Sequence, residues 1–369
     1  MKFKIQRQEI TKAVNIIKEA LPNKTVIESL KGIKIEAANE KIVFTASRQD
    51  VIITYTATTN FEVEIPGVSI IPGSYLITII NKSEENLFEF SQENGTTTVK
   101  TRKSKMKLVE YDASSYPDVK FDLDKGDVIT VPVEILKDAY SQTKYSVAQN
   151  NLKPILTGLN FKFTKQGLTV GSTDARRLSI STFNKTNNED VEFTIYKNLL
   201  GSMIKILDTL NLDEINLITD QNQITVDAGN VQMKGRLLEG KFPDIERLIP
   251  AKPSYTYEVE AKKLLSVLEK IQLLSDRDNG NVTTKIKEGN LLLEAYFKEL
   301  GGIEEICSIE NLIGNPFSIS FDPKFLIDAV HAIDKERLVL EFVDEISVFL
   351  IAATDSRDNI QIIAPIRLT

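Results

Sequence analysis

A pattern that returns at a fixed interval constrains this chain more than any other feature, because self-similarity forces a fold built from copies of one unit. From Gln8 to Leu21 apolar residues fall at Ile10, Ala13, Val14, Ile17 and Leu21, which share one face of a helix. The same spacings return 126 residues later at Leu136, Ala139, Tyr140, Thr143 and Val147. A third copy begins a further 128 residues on, with Leu264, Val267, Leu268 and Ile271. A second helical stripe alternates with the first, at Leu76, Ile79 and Ile80, at Leu200, Met203, Ile204 and Leu207, and at Leu326, Ala329, Val330 and Ile333. Between the stripes the period drops to two, with Ile33, Ile35 and Ala37 answered by Leu159, Phe161 and Phe163. Gly32 and Gly158, and Tyr116-Pro117-Asp118 and Phe242-Pro243-Asp244, keep the same offset.

The repeat predicts an α+β chain of three domains, each with two amphipathic helices packed on antiparallel sheet. The boundaries are expected in the Pro- and Asp-rich stretches from Tyr116 to Asp127 and from Pro243 to Ser254, giving domains at 1–121, 122–250 and 251–369. With no low-complexity linker between copies, the domains are expected to pack edge to edge.

Composition removes most chemistry. A single Cys307 and a single His331 supply neither a disulfide nor a Cys/His zinc site, so no metal or cofactor is expected and a reducing cytoplasm is the natural setting. No apolar run approaches the roughly 18 residues of a membrane span. The phosphate-cradling glycine loops and the nucleophile elbow are missing. His331 lies within a helical stripe and Cys307 in a strand-like stretch without a basic neighbour, so both are expected to be structural. Carboxylates such as Asp174, Asp220, Asp227 and Asp355 are plentiful but unpaired by anything in the sequence, leaving carboxylate catalysis formally open. The net charge of -7 argues against nucleic acid on its face, yet says nothing about how charge is distributed.

Three stretches carry a family likeness. Ser172-Thr173-Asp174-Ala175-Arg176-Arg177-Leu178, Leu238-Glu239-Gly240-Lys241-Phe242-Pro243-Asp244 running on to Pro250, and Ile362-Ile363-Ala364-Pro365-Ile366-Arg367-Leu368 resemble the bacterial sliding clamp, the beta subunit of DNA polymerase III. The opening Met1-Lys2-Phe3, the length of 369 residues and the three copies agree with it, so the resemblance spans the chain. Where the family usually has Gly-His-Arg, this chain reads Ala175-Arg176-Arg177, and the family's Thr-Leu-Pro-Ile-Leu stretch reads Thr25-Val26-Ile27-Glu28-Ser29-Leu30. The chain is therefore expected to be a divergent member.

The resemblance implies a head-to-tail homodimer forming a six-domain ring, with helices lining a hole and sheets outside. It implies a processivity factor that performs no chemistry, encircles duplex DNA without regard to sequence, and tethers the DNA polymerase III alpha subunit, the clamp loader and other clamp-binding-motif proteins. A partner-peptide pocket between domains 2 and 3 is implied at Lys153, Leu156, Thr173, Ala175, Arg176, Arg177, Leu178, Pro243, Arg247, Leu248, Phe325, Val348, Ile362, Ile363, Ala364, Pro365, Ile366, Arg367 and Leu368. DNA contacts are implied at Lys24, Asn150 and Lys197, and the lining helices offer Arg7, Lys12, Lys18, Lys82, Lys137, Lys144, Lys205, Lys263 and Lys270. For the dimer contact the family points to Leu273 and Leu274. Charge points to the same ends of the chain: Lys100, Arg102, Lys103, Lys105 and Lys107 on one strand-like segment of domain 1, and Glu299, Glu304, Glu305 and Glu310 in domain 3. A protein of the same fold that sequesters or regulates clamp partners without encircling DNA is the alternative.

Overall fold

The computed structural model describes residues 1–22, 24–48, 50–118, 121, 123, 126–149, 153–220, 222–250, 252–275, 281–297 and 301–366. Every stripe in the sequence is a helix: α1 (Arg7–Ile17), α2 (Gly73–Lys82), α3 (Val133–Thr143), α4 (Lys197–Leu210), α5 (Ala261–Ser275) and α6 (Pro323–Ile333). In α1 the residues Ile10, Ala13, Val14 and Ile17 are buried while Lys12 faces solvent. The helix stops before Leu21, the last residue of the stripe, because Lys18–Ala20 tightens into a 3-10 turn. The second copy does the same at Lys144–Ser146, just before Val147.

The chain packs as two compact units, Met1–Val133 with Asn198–Leu237, and Glu134–Lys197 with Leu238–Thr369, so the second repeat is divided between them. Strand pairing explains the division. In the first unit an eight-stranded antiparallel sheet runs Asp127–Pro132, Glu214–Thr219, Gln223–Ala228, Val231–Arg236, Val51–Ala57, Lys41–Arg48, Gly32–Ala38 and Gly67–Pro72. Its middle is a seam between repeats, with Val51 opposite Gly235 and Tyr55 opposite Val231. In the second unit a nine-stranded sheet runs Val191–Tyr196, Gly158–Phe163, Leu168–Thr173, Arg177–Phe183, Asn359–Ile363, Phe349–Ala353, Arg337–Phe342, Tyr255–Glu260 and Glu310–Gly314. Its seam sets Arg177 opposite Ile363 and Ser181 opposite Asn359. Counting residues through the hairpins carries Val51 onto Arg177 and Gly235 onto Ile363, so the two seams have one register. The closing hydrogen bond is repeated as well: Arg236 N–H donates to Asp50 O at 3.1 Å, and Ala364 N–H to Arg176 O at 2.8 Å.

Two smaller sheets leave free edges. In the first unit the order is Phe61–Ile65, Lys2–Gln6, Leu87–Glu93, Thr96–Lys100 and Lys105–Val109. In the second it is Gly301–Ser308, Asn290–Phe297, Val282–Lys287 and Ile319–Phe321. The basic segment from Lys100 to Lys107, expected as one strand, is instead a hairpin. Thr101 N–H donates to Ser104 O at 2.8 Å and the Ser104 N–H to Thr101 Oγ1 at 3.2 Å, and this local bonding breaks the strand between Lys100 and Lys105.

Both units are held by dense aliphatic and aromatic cores. Phe3 stacks on Phe90 at 4.6 Å in the first. In the second, Leu264, Leu268, Leu326 and Val330 of the helices bury against Tyr257, Phe342 and Phe349 of the sheet. Each such side chain contributes about 1.5–3 kcal/mol by leaving water. The repeated glycines are close-approach positions. A Cβ on Gly32 would meet Ile70 Cγ2 at 2.5 Å, and one on Gly158 would meet Ile195 O at 2.5 Å.

Candidate functional site

The two seams share geometry but have opposite polarity. In the first, Ile53, Tyr55, Val231 and Met233 are buried on one face, and the other carries Ile52, Thr54, Gln232 and Lys234. In the second, the face equivalent to the buried one carries Ser179, Ser181 and Gln361, and the other is Leu178, Ile180, Ile360 and Ile362. The apolar residues align in rows across strands. Leu178 faces Ile362 and Ile362 faces Leu350; Ile180 faces Ile360, Ile360 faces Ala352 and Ala352 faces Val339. Ile180, Ile360 and Ile362 occupy the places that Thr54, Gln232 and Lys234 fill in the first seam. The fold therefore does not require an apolar face there, and the one present is buried against segments that flank the seam.

Flanking segments enlarge it. The 3-10 turn Pro154–Thr157, started by a proline whose missing N–H costs nothing at that position, adds Ile155 and Leu156. Phe242 and Ile245 join the same cluster, and Leu238, Ile249, Val348 and Ile360 are only partly buried against it. Leu248 stays 49% exposed, and Pro243 is exposed beside it in sequence. The result is an apolar floor with an incomplete cover, the kind of surface that accepts a hydrophobic anchor.

A tight turn ends the floor next to Leu178. Thr173 Oγ1 accepts from Ala175 N–H at 3.0 Å and donates to Arg177 O at 2.7 Å. Asp174 Oδ1 accepts from the N–H groups of Arg176 and Arg177 at 2.9 and 3.0 Å. Ala175 sits at φ 72°, a left-handed conformation that a Cβ disfavours. Ala175→Gly is accordingly expected to stabilise the protein by roughly 0.5–1 kcal/mol, read as a rise in the urea midpoint without a change in slope. Arg177 is locked: Nε lies 3.0 Å from Asp174 Oδ2, Nη1 lies 2.6 Å from Asp328 Oδ2, and the guanidinium rests 4.4 Å from the Phe325 ring and 5.1 Å from that of Tyr145. Burial pushes the Tyr145 hydroxyl well above the usual tyrosine range.

Leu156, Leu178 and Ile362 lie in the floor, with Val348 packed against it. Thr173 and Ala175 shape the turn, and Ala364, Pro365 and Ile366 follow the last strand, the Ile366 N–H donating to Ser320 O at 2.7 Å. Lys153 and Arg247 are exposed, the latter 2.8 Å from Asp244. Ile363 lies elsewhere, in the core of the third repeat, because side chains alternate along the strand and it points opposite to Ile362, whereas Phe325 packs into that core from α6 with its ring against the guanidinium groups of Arg176 and Arg177 at the turn. Arg367 and Leu368 lie outside the described residues. The sequence reading missed Ile155, Ile180, Phe242, Ile245, Leu350, Ala352 and Ile360. For Ile180, Leu350, Ala352 and Ile360 the signal was available as apolar residues two apart in three separate strands, whereas Ile155, Phe242 and Ile245 lie outside strands and carry no such periodicity.

For DNA, Lys24 is exposed and Asn150 lies outside the described residues. Burial, then the neighbouring Lys144 and Arg177 cations, lower the Lys197 pKa. Some of the helical cations are offset: Lys205 lies 3.6 Å from Glu19, Lys263 2.8 Å from Glu260, and Lys137 3.1 Å from Glu134. Among the dimer residues, Arg102 and Lys103 each stand 3.7 Å from Glu85, and Lys270 holds Glu305 at 3.0 Å. Glu310 is likewise held by Arg337 at 2.8 Å. Leu273 is 78% exposed. Glu299 and the Leu274 side chain lie outside the described residues. Burial pushes the Cys307 thiol up to about 11. Among the described residues no three metal-ligating side chains gather, and no helix is long and apolar enough to cross a membrane.

Family models for the DNA polymerase III beta subunit match along the chain, the N-terminal domain at residues 1–120, the central domain at 130–244 and the C-terminal domain at 246–367. A beta sliding clamp of Halalkalibacterium halodurans is 30% identical over 381 residues, covering 100% of both chains. Among solved structures, the DNA polymerase sliding clamp of Bacillus subtilis superposes with a TM-score of 0.95 at 26% identity, and the DNA polymerase III beta chain of Streptococcus pneumoniae with 0.94 at 25%, each covering 100% of both chains.

Proposed function

We propose that this chain, which belongs to the beta subunit family of DNA polymerase III, is a DNA polymerase processivity clamp. Two copies close head to tail into a six-domain ring around duplex DNA, with domains at 1–121, 122–250 and 251–369. The apolar face of the second seam holds short peptides of the polymerase III alpha subunit, the clamp loader and other partners. It acts in the cytoplasm, by topology rather than by chemistry.

The observation that carries this reading is the register shared by the two seams. Each joins the outer strand of one repeat to the last strand of the next. The strands that would make a third seam, Gly301–Ser308 of the third repeat and Lys105–Val109 of the first, are both free edges. Unpaired edges are templates for another chain. A second copy supplies what each lacks, and carrying the register once more sets Gly301 opposite Leu108 of the partner subunit, Ile303 opposite the partner's Met106 and Glu304 opposite the partner's Lys105.

The charges support the same register. A column of facing residues crosses the first sheet as Glu62, Lys4, Glu89, Lys100 and Lys105, ending with two lysines opposite each other. The other sheet ends with Glu294 opposite Glu304. Like charges directly opposite are unfavourable in each chain alone, and joining the edges relieves both. DNA contact is then left to scattered cations, Lys24 and Lys197 included, together with the neutral amide of Asn150, which meet phosphates without reading bases.

Loaded onto nicked circular DNA by a clamp loader, the protein is expected to stay bound at salt that screens direct contacts and to leave once the circle is cut. Discrimination between unrelated duplexes should stay below about tenfold, or roughly 1.4 kcal/mol. Equal retention on linear and circular DNA, or release from both, would contradict encirclement and favour a regulator of clamp partners.

A further inference from the structure

We infer that Arg176 makes the second seam selective for peptides that carry a carboxylate side chain beside their hydrophobic anchor. The inference rests on the peptide-binding reading above. Two arginines and two aspartates meet at the turn that ends the apolar floor, and both aspartates pair with the guanidinium of Arg177 rather than with that of Arg176. Asp174 gives Oδ2 to Arg177 Nε at 3.0 Å and Oδ1 to the backbone N–H groups of Arg176 and Arg177. Asp328 gives Oδ2 to Arg177 Nη1 at 2.6 Å. The Arg176 guanidinium is exposed and has no carboxylate partner among the described residues.

Yet Arg176 is held in place. Its guanidinium rests 4.9 Å from the face of the same Phe325 ring that Arg177 covers at 4.4 Å, and its carbonyl accepts the Ala364 N–H at 2.8 Å. The ring attracts each cation, while the two cations repel one another. A carboxylate arriving from a ligand offsets that repulsion and finds a planar, already ordered fork of donors, so little side-chain entropy is lost on pairing. The other cations at the rim suit the role less well. Arg247 is engaged with Asp244 at 2.8 Å, and Lys153 is exposed with neither a ring nor an acid to fix it among the described residues. Leu178, the first residue of the floor, follows the turn directly, which brings charge and anchor within the span of one extended peptide.

The probes are two labelled peptides, Gln-Leu-Asp-Leu-Phe and its neutral counterpart Gln-Leu-Asn-Leu-Phe, titrated into the full-length wild type and Arg176→Gln. The wild type is expected to bind the acidic peptide about fivefold more tightly at low ionic strength, with the gap closing as salt is added. Arg176→Gln should bind both peptides as the wild type binds the neutral one, with unchanged thermal unfolding. Equal affinities in the wild type, or a gap that survives in Arg176→Gln, would overturn the selectivity while leaving the peptide site standing. Binding of neither peptide by the wild type would remove the site itself, and the inference with it.

Discussion

Lys105→Glu is expected to raise the dissociation constant of the dimer by about a hundredfold, measured by sedimentation velocity across a concentration series. In the proposed ring each interface sets Lys105 of one copy opposite Glu304 of the other, and neither has an ion-pair partner within its own chain among the described residues. Reversal puts like charges face to face on paired strands, a change of about 1.4 kcal/mol or tenfold per contact, and the ring has two such contacts. Glu304→Lys should do the same, and the double reversal should return association close to wild type. That restoration separates a direct pair from a general charge effect. Lys103→Glu should have a smaller effect, because Lys103 already stands 3.7 Å from Glu85 of its own chain. Unaltered sedimentation in both single variants would dismiss the register.

Arg177→Met is expected to lower stability by about 3 kcal/mol, the usual cost of removing one member of a largely buried ion pair. The side chain of Arg177 is only 9% exposed, and it ties Asp174 of the turn to Asp328 of α6. Methionine can fill the space beside Phe325 and Tyr145, so the loss comes chiefly from two carboxylates left without a counter-charge. Adding Asp328→Asn should recover part of it. Urea titration followed by tyrosine fluorescence reads both changes, and a single variant within about 0.5 kcal/mol of wild type would show that solvent already screens the cluster.

The helices were legible because a stripe such as Ile10, Ala13, Val14 and Ile17 both needs and advertises one buried face. The repeat was legible because each offset tested the others. The strands across the seams were not, since nothing in Val51–Ala57 or Arg177–Phe183 says which distant strand completes it. That pairing is a long-range choice made by register and by the closing hydrogen bonds at Asp50 and Arg176. The site divides in the same way. Family motifs reached the turn, the Pro243 loop and the tail, whereas Ile180, Ala352 and Ile360 share a face only after three strands have been laid side by side. Arg177 reads in sequence as a cation available to a ligand. In the fold it is occupied by Asp174 and Asp328, and Arg176 is the one left available.

The common register has a mechanical consequence. Two of the three seams join strands of one polypeptide, so a ladder that opens there is held at high local concentration and closes again before its neighbours are lost. The third, in the proposed ring, has no covalent tether, and its re-formation depends on the position of the whole partner. In such a ring, a force that strains the circle evenly would find its durable breaks at the two contacts between Gly301–Ser308 of one copy and Lys105–Val109 of the other, and where a gap opens is determined by chain connectivity before any difference in contact strength is considered.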